Sequence, residues 1–508
     1  MASPILRQGL PNESLWDFLG DMLMPVLQLL SPRELHVLSL VSKVSRATCE
    51  PLLYSSIEWT WLEDRPPPIT AFIRTILRRP ELAAHVRSVS LLGDSFIPYD
   101  HDRDTVPPRI DISALDYEHA VKAVESTRVD FALLPMKLLW RDQMHQGAMD
   151  TLVTLLLSQL HNIRTLVLGP IFTFETGLLL QLFHAAVFRQ AKFELPTYQH
   201  LRVLCLNFDG KQGLGIYSLG STDLQPWFYL PAIQEFSLVS SMPLTWDKIA
   251  MHTPTSSLLT TLHLTAVQPE HLGQILSMTP ALKNLSYNWY YRSGVHLGRP
   301  EEGSVWVNLD AIGLALSHVR DTLEELVVTG RVILEEDYEY DFIKFEGNLS
   351  RMANLDHLKI LQIPLPFLTG DFHARGAFAE EKMFPPNLKS LRVTDDVLLA
   401  WPWKDGWNDN AVSSALQRWY VLHRPAHSLS SISMEIWSIF NLDRPRTCAD
   451  RVDTQYACDE RGGQTLDSRV KKRAISVSVK ISGSRSFGRR SAITSPAYEI
   501  HVVAQRRL

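Results

Sequence analysis

The chain carries 18 histidines and four cysteines, the side chains from which metal sites and nucleophilic centres are built. Their spacing makes neither. Cys49, Cys205, Cys448 and Cys458 form no CxxC pair and no HExxH helix is present, so no zinc site is expected. They are also too scattered for a disulfide framework. A GxSxG nucleophile elbow and a GxxxxGK[ST] phosphate loop are both missing, and Gly213, Gly215 and Gly220 stand at the wrong spacing for GxGxxG. No catalytic residue, metal or cofactor is expected from this inventory. An unrecognised α/β hydrolase would need a nucleophile at a strand–helix elbow, and none is found.

What remains is the chemistry of contact. Glu335-Glu336-Asp337-Tyr338-Glu339-Tyr340-Asp341-Phe342 sets five carboxylates among three aromatics. It reads as a solvated insertion loop or as an edge that recognises a basic segment. Trp401, Trp403 and Trp407, with Tyr287 to Tyr291 upstream, either fill space beneath loops or form an aromatic binding surface. Lys471-Lys472-Arg473 lies in a Ser-, Arg- and Gly-rich tail, read as largely disordered or as an import or anion-contact patch.

These residues need a frame, and composition bounds it. Of 508 residues, 45% are apolar and 21% charged, enough to bury a sizeable core and ordinary for a globular chain. Formal net charge is −5, which favours neither nucleic acid nor a membrane surface as partner. The balance is uneven: residues 441–508 hold 14 Lys/Arg against 7 Asp/Glu, a net of +7 that leaves −12 for residues 1–440. The beginning shows no charged region followed by a clean apolar run, so no secretory signal is expected. Asp17 and Asp21 interrupt the apolar stretch Leu15–Leu30, too short to span a bilayer. The expected location is cytoplasm and/or nucleus, and the sequons at Asn284 and Asn348 are chance matches.

From Val86 onward one pattern recurs: apolar-x-x-apolar-x-apolar. It reads VRSVSL from Val86, IRTLVL from Ile163, LRVLCL from Leu201, IQEFSL from Ile233 and LTTLHL from Leu259. LKNLSY from Leu282, LEELVV from Leu323, LKILQI from Leu358, LKSLRV from Leu388 and LSSISM from Leu429 complete it. The last two apolar positions are two apart and face the same way on a strand. Helix-period segments precede several copies: MDTLVTLLLSQLHN, EHLGQILSMTPA and NLDAIGLALSHVRDT. Each unit has an apolar strand face and helix stripe that it cannot bury alone, and stacking buries both. The fold class is therefore α/β, an irregular solenoid of short parallel strands with outer helices over residues 59–440. An ordinary α/β domain with parallel strands is the alternative. Spacings of 32, 26 and 23 residues between starts, and later gaps up to 41, make the repeat insertion-rich.

Before the repeats, residues 8–58 read as packed short helices, with 62–68 (containing Arg65-Pro66-Pro67-Pro68) as linker. Ser31-Pro32 with Glu34 predicts a capped helix start. Leu35, Leu38 and Val41, joined by Leu40, form its apolar face, and Lys43, Ser45 and Arg46 close the element. The order Leu10-Pro11-Asn12-Glu13, a Ser31-Pro32 turn, LHVLSLVSKVSR and Pro51-Leu52-Leu53-Tyr54 resembles the F-box, which docks onto the Skp-type adaptor of cullin–RING ubiquitin ligases. PLLYSSIEW, RTILRRPELAAHVRSVSLLG, YNWYY, LDAIGLALSHVRDTLEEL, LKILQIPLPFLTG and PPNLKSLRVTDD together resemble the F-box and leucine-rich-repeat-like proteins of filamentous fungi. This resemblance covers about residues 10–400. It implies an N-terminal helical F-box module, a leucine-rich-repeat-like solenoid and the basic tail 441–508. It also implies adaptor contacts drawn from Leu10, Pro11, Leu15, Leu30, Leu35, Leu38 and Val41. Partners would be the Skp-type adaptor, through it a cullin scaffold, and an unidentified protein target whose binding residues stay unassigned. The acidic run at 335–342 would then suit a basic degron. The rival reading is a repeat-only interaction scaffold whose N-terminal helices are a cap.

Overall fold

The computed structural model describes residues 20–62, 65–93, 109–127, 136–173, 177–188, 195–206, 225–240, 258–292, 304–333, 342–369, 384–394 and 397, with strands at 431–435, 456–457, 474–481 and 498–505. The fold is α/β with a largely parallel sheet, and the chain divides into two compact units. One holds residues 1–172 and 181–201, the other 173–180 and 202–508.

The first unit opens with three short helices, α1 (Leu23–Gln28), α2 (Pro32–Ser39) and α3 (Lys43–Leu53). Ser31 starts α2 as expected: Glu34 N–H donates to its hydroxyl at 3.3 Å, and its own N–H donates to the Glu34 carboxylate at 2.7 Å. Contrary to the expected single element reaching Arg46, α2 stops at Ser39 and Lys43 opens α3. Ser42 causes the break. It adopts an extended backbone and accepts from Ser45 N–H at 3.0 Å, so it caps a new helix.

Only Tyr54 and Ser55 separate α3 from β1 (Ser56–Thr60), which pairs in parallel with β2 (Ser88–Leu92). β2 pairs in turn with β3 (Thr165–Leu168). The boundary expected at residue 58 therefore falls inside a strand. Tyr54-Ser55-Ser56-Ile57-Glu58-Trp59 is an eleventh copy of the repeat pattern, masked because Pro51–Tyr54 reads as the end of the helical module. α4 (Ile69–Arg78) follows β1, with Ile69, Ile73 and Ile76 buried. Between β2 and β3 lie α5 (Tyr117–Ser126), α6 (Met136–His145) and α7 (Met149–Gln159). Residues Met149 through Ser158 of α7 are all buried, because α4, α5 and α6 pack around it.

In the second unit the parallel order is β4 (Val203–Leu206), β5 (Glu235–Val239), β6 (Thr261–Thr265), β7 (Asn284–Arg292), β9 (Glu325–Ile333), β11 (Ile360–Pro364), β12 (Ser390–Thr394) and β13 (Ser431–Glu435). All ten predicted copies are strands, and the first apolar position of each, from Val86 to Leu388, is buried. α8 (Pro269–Ser277) and α9 (Leu309–Leu316) are among the connections. β8 (Ser304–Asn308) and β10 (Phe342–Glu346) form a separate parallel pair that the repeat pattern does not announce. In the tail, where no regular structure was expected, β14 (Tyr456–Ala457), β15 (Ala474–Ile481) and β16 (Tyr498–Gln505) pair antiparallel, and β16 also meets β13.

One joint is shared by most strands. A carbonyl just before a strand accepts two consecutive N–H groups from the start of its neighbour. Ser55 O serves Arg87 and Ser88, and Arg87 O serves Arg164 and Thr165. In the second unit Arg202, Gln234, Thr260, Lys283, Glu324 and Lys359 do the same for the following strand.

Candidate functional site

The three N-terminal helices are too short to be stable alone and persist by packing. Their core is small: Leu27, Leu35 and Cys49 are buried, and Leu23, Leu30, Leu38, Leu52 and Leu53 pack against them half-covered. Burial also pushes the Cys49 thiol pKa up, which keeps it neutral.

That core consumes one side of α2 and leaves apolar residues around the α2–α3 turn uncovered. Val37 near the end of α2, Leu40 and Val41 in the turn after it, and Val44 at the start of α3 are 59%, 72%, 71% and 60% exposed. Met22, Met24, Val26 and Leu29 are exposed nearby in sequence on α1 and its ends. Scattered exposed apolar residues are normal, but eight within 23 positions of one small module are not. A shallow groove of about 390 Å³ runs through this side, lined by Leu30, Arg33, Glu34, Val37, Leu38 and Val41. Fully covering an exposed Val or Leu is worth roughly 1.5–3 kcal/mol. The stripe thus stores several kcal/mol that no contact among the described residues collects.

Charge frames the face. The Ser31 hydroxyl and N–H hold the Glu34 carboxyl below its ordinary value, so it stays ionised at the groove rim. On α3, Glu50 accepts from both terminal nitrogens of Arg79 at 2.9 Å and from Arg46 Nε at 2.8 Å. Arg79 in turn donates to Glu81 at 2.8 Å. The Arg79 fork, first, and Arg46 hold the Glu50 carboxyl at about 2 against desolvation. Tyr54 and Trp59 pack on Phe72 of α4, ring centres 6.0 and 5.5 Å apart. α3 is therefore tied to the first repeat on one side while the apolar stripe stays open.

The seven residues that the F-box resemblance singles out separate accordingly. Leu35 is 5% exposed and belongs to the core, so it is not available to a partner. Leu30 and Leu38 are half-buried, touching the core and lining the groove. Val41 is fully presented. Leu10, Pro11 and Leu15 lie outside the described residues. Val37 and Val44 join the exposed set without having been named from the sequence, and Leu40, named only as completing the expected apolar face, is exposed with them. The break at Leu40–Ser42 ends the helical period between them, so burial and not spacing separates the exposed set from the core set.

The sheet offers a second surface. In the second unit its less buried side carries polar groups, where Asn284 donates to Thr261 at 3.3 Å and Thr329 donates to Asn288 at 3.1 Å, together with the exposed Ile360. His263 stands 3.9 Å from the Glu235 carboxylate. The Tyr287–Tyr291 aromatics do not make a binding surface there. Tyr287, Trp289 and Tyr290 are buried, and the Tyr287 hydroxyl donates to Val267 O at 2.8 Å. Trp401, Trp403, Trp407, the acidic run up to Asp341, and Lys471–Arg473 lie outside the described residues. Among the described residues no group of three or more His, Cys, Asp or Glu could hold a metal ion. No described helix is long and apolar enough to cross a membrane. No protein-family model matches the chain, and no curated protein matches it.

Proposed function

We propose that this chain is the substrate-recognition subunit of a Skp–cullin–F-box ubiquitin ligase. The N-terminal module docks the adaptor, and the repeat sheet binds a protein target. Such a receptor performs no covalent step. It raises the effective concentration of a target lysine beside the charged conjugating enzyme. One observation carries the reading: a small helical module completes its own core with Leu27, Leu35 and Cys49 and still presents Val37, Leu40, Val41 and Val44 to solvent. A helix laid into an apolar groove is the kind of contact this face suits. Polar groups on the less buried sheet side, such as Asn284, Asn288 and Thr329, would hold an extended target by hydrogen bonds. Its specificity residues stay unassigned.

The test is co-purification with a recombinant Skp-type adaptor. The intact chain should bind, and a Leu40→Asp/Val41→Asp double variant should lose binding by at least a hundredfold while keeping its circular dichroism and melting temperature. Failure of the intact chain to bind ends the ligase reading.

A repeat-only scaffold is the second reading, and the two-residue passage from α3 into β1 favours it, since an integral first layer would serve as a solenoid cap. A cap, however, needs a polar outer face, and this module exposes Val37, Leu40, Val41 and Val44.

A further inference from the structure

We propose that Ser31 is a phosphate acceptor for a proline-directed protein kinase, and that its phosphorylation closes the apolar face to its partner. The proposal rests on reading that face as a docking surface.

Ser31 lies in the turn between α1 and α2 and is exposed, as are Pro32 and Arg33 after it. Its backbone is extended, φ −66° and ψ 157°, and the following proline sets the residue order that this class of kinase reads. The other serines between Ser31 and Tyr54 differ. Ser39 and Ser45 are buried, and Ser42 is followed by Lys43 rather than proline. In the transfer the Ser31 oxygen forms a bond to the γ-phosphorus of ATP. The bond to the departing ADP oxygen breaks, and the hydroxyl proton passes to the kinase's base.

The consequence follows from what the hydroxyl now touches. Ser31 Oγ donates to Glu34 Oε2 at 2.7 Å, and Ser31 N–H donates to the same oxygen at 2.7 Å. A phosphoryl group removes that donor and puts a charge of roughly −1.5 to −2 against an ionised carboxylate. Glu34 is displaced from its capping position. Because Glu34, Arg33, Leu30 and Val37 line one groove, the dianion and the freed carboxylate sit at the edge of the surface that must be dehydrated on docking. The amino end of α2 tolerates the new charge, since its free N–H groups and Arg33 can satisfy phosphate oxygens. Docking is therefore lost while the fold is kept.

The full-length chain, incubated with ATP and a purified proline-directed kinase, should carry phosphate at Ser31 by peptide mass spectrometry. Pro32→Ala and Ser31→Ala should not. The phosphorylated chain should bind adaptor at least tenfold more weakly than the unmodified chain, with an unchanged melting temperature. No incorporation at Ser31, or incorporation with unaltered affinity, overturns the proposal. If the unmodified chain does not bind adaptor, the ligase reading falls instead. Incorporation at Ser31, with reduced binding of a hydrophobic dye relative to Ser31→Ala, then decides the switch on its own.

Discussion

Truncating Leu35 to Ala removes a side chain from a core of only three fully buried residues. Cavity and transfer terms together cost about 2–4 kcal/mol, read as a shift in denaturant midpoint. Val41→Ala, six positions on, should change stability by no more than about 0.5 kcal/mol and instead weaken adaptor binding. A result in which both variants destabilise equally would mean the stripe is internal after all. Glu50 adds a pH signature. Its folded carboxyl titrates at about 2 against an ordinary 4.5, so the pairing with Arg79 stabilises above pH 4.5 and is lost as pH falls toward 2. Arg79 is partly exposed, and screening limits the pair to about 1–2 kcal/mol. Glu50→Gln should therefore lag the wild type by that amount at pH 7 in urea melts, with the gap closing below pH 4.

The break between α2 and α3 belongs to the next scale up. Ser42→Ala deletes the oxygen that accepts Ser45 N–H and should cost about 1 kcal/mol. The loss should show as faster amide exchange confined to the first turn of α3. This cap was not read from the sequence, in which Lys43, Ser45 and Arg46 close a single expected element. A continuous apolar period through Leu38 and Val41 overrode it, because periodicity alone cannot say where one amphipathic helix hands over to another. The strands were the most legible elements. Each of the ten recurring hexads became one, since two apolar residues two apart need a common buried side. β8 and β10 were not legible, because they occur once in the connections and repeat nothing. Ser31, Pro32 and Glu34 were read correctly from type and spacing alone, as local hydrogen bonding is written in adjacent residues.

At the level of the chain, continuity of α3 with β1 makes a clear forecast. Deleting residues 1–55 removes the helical module but leaves β1 on the edge of the first unit, and the product should remain soluble and monomeric by light scattering. Deleting residues 1–61 strips β1 as well and exposes the edge of β2, which should associate or aggregate. Equal behaviour of the two truncations would show that β1 contributes nothing to the body behind it. Where adaptor docking would fall on the surface could not be drawn from sequence. The exposed and buried residues from Leu35 to Val44 are both apolar, and which of them face water depends on how α1 and α3 close around Leu35.

The doubled N–H joint carries an implication for how this architecture tolerates change. Because one carbonyl clamps two successive amides, each strand is indexed at its own first residue, whatever distance the chain travelled to arrive. Lengthening the spacing between copies from 23 to 41 residues then costs only the slow logarithm of loop closure, about half a kcal/mol, and does not slip the next rung by one residue. Sequence between rungs is free to grow, shrink and diversify while the ladder stays in step.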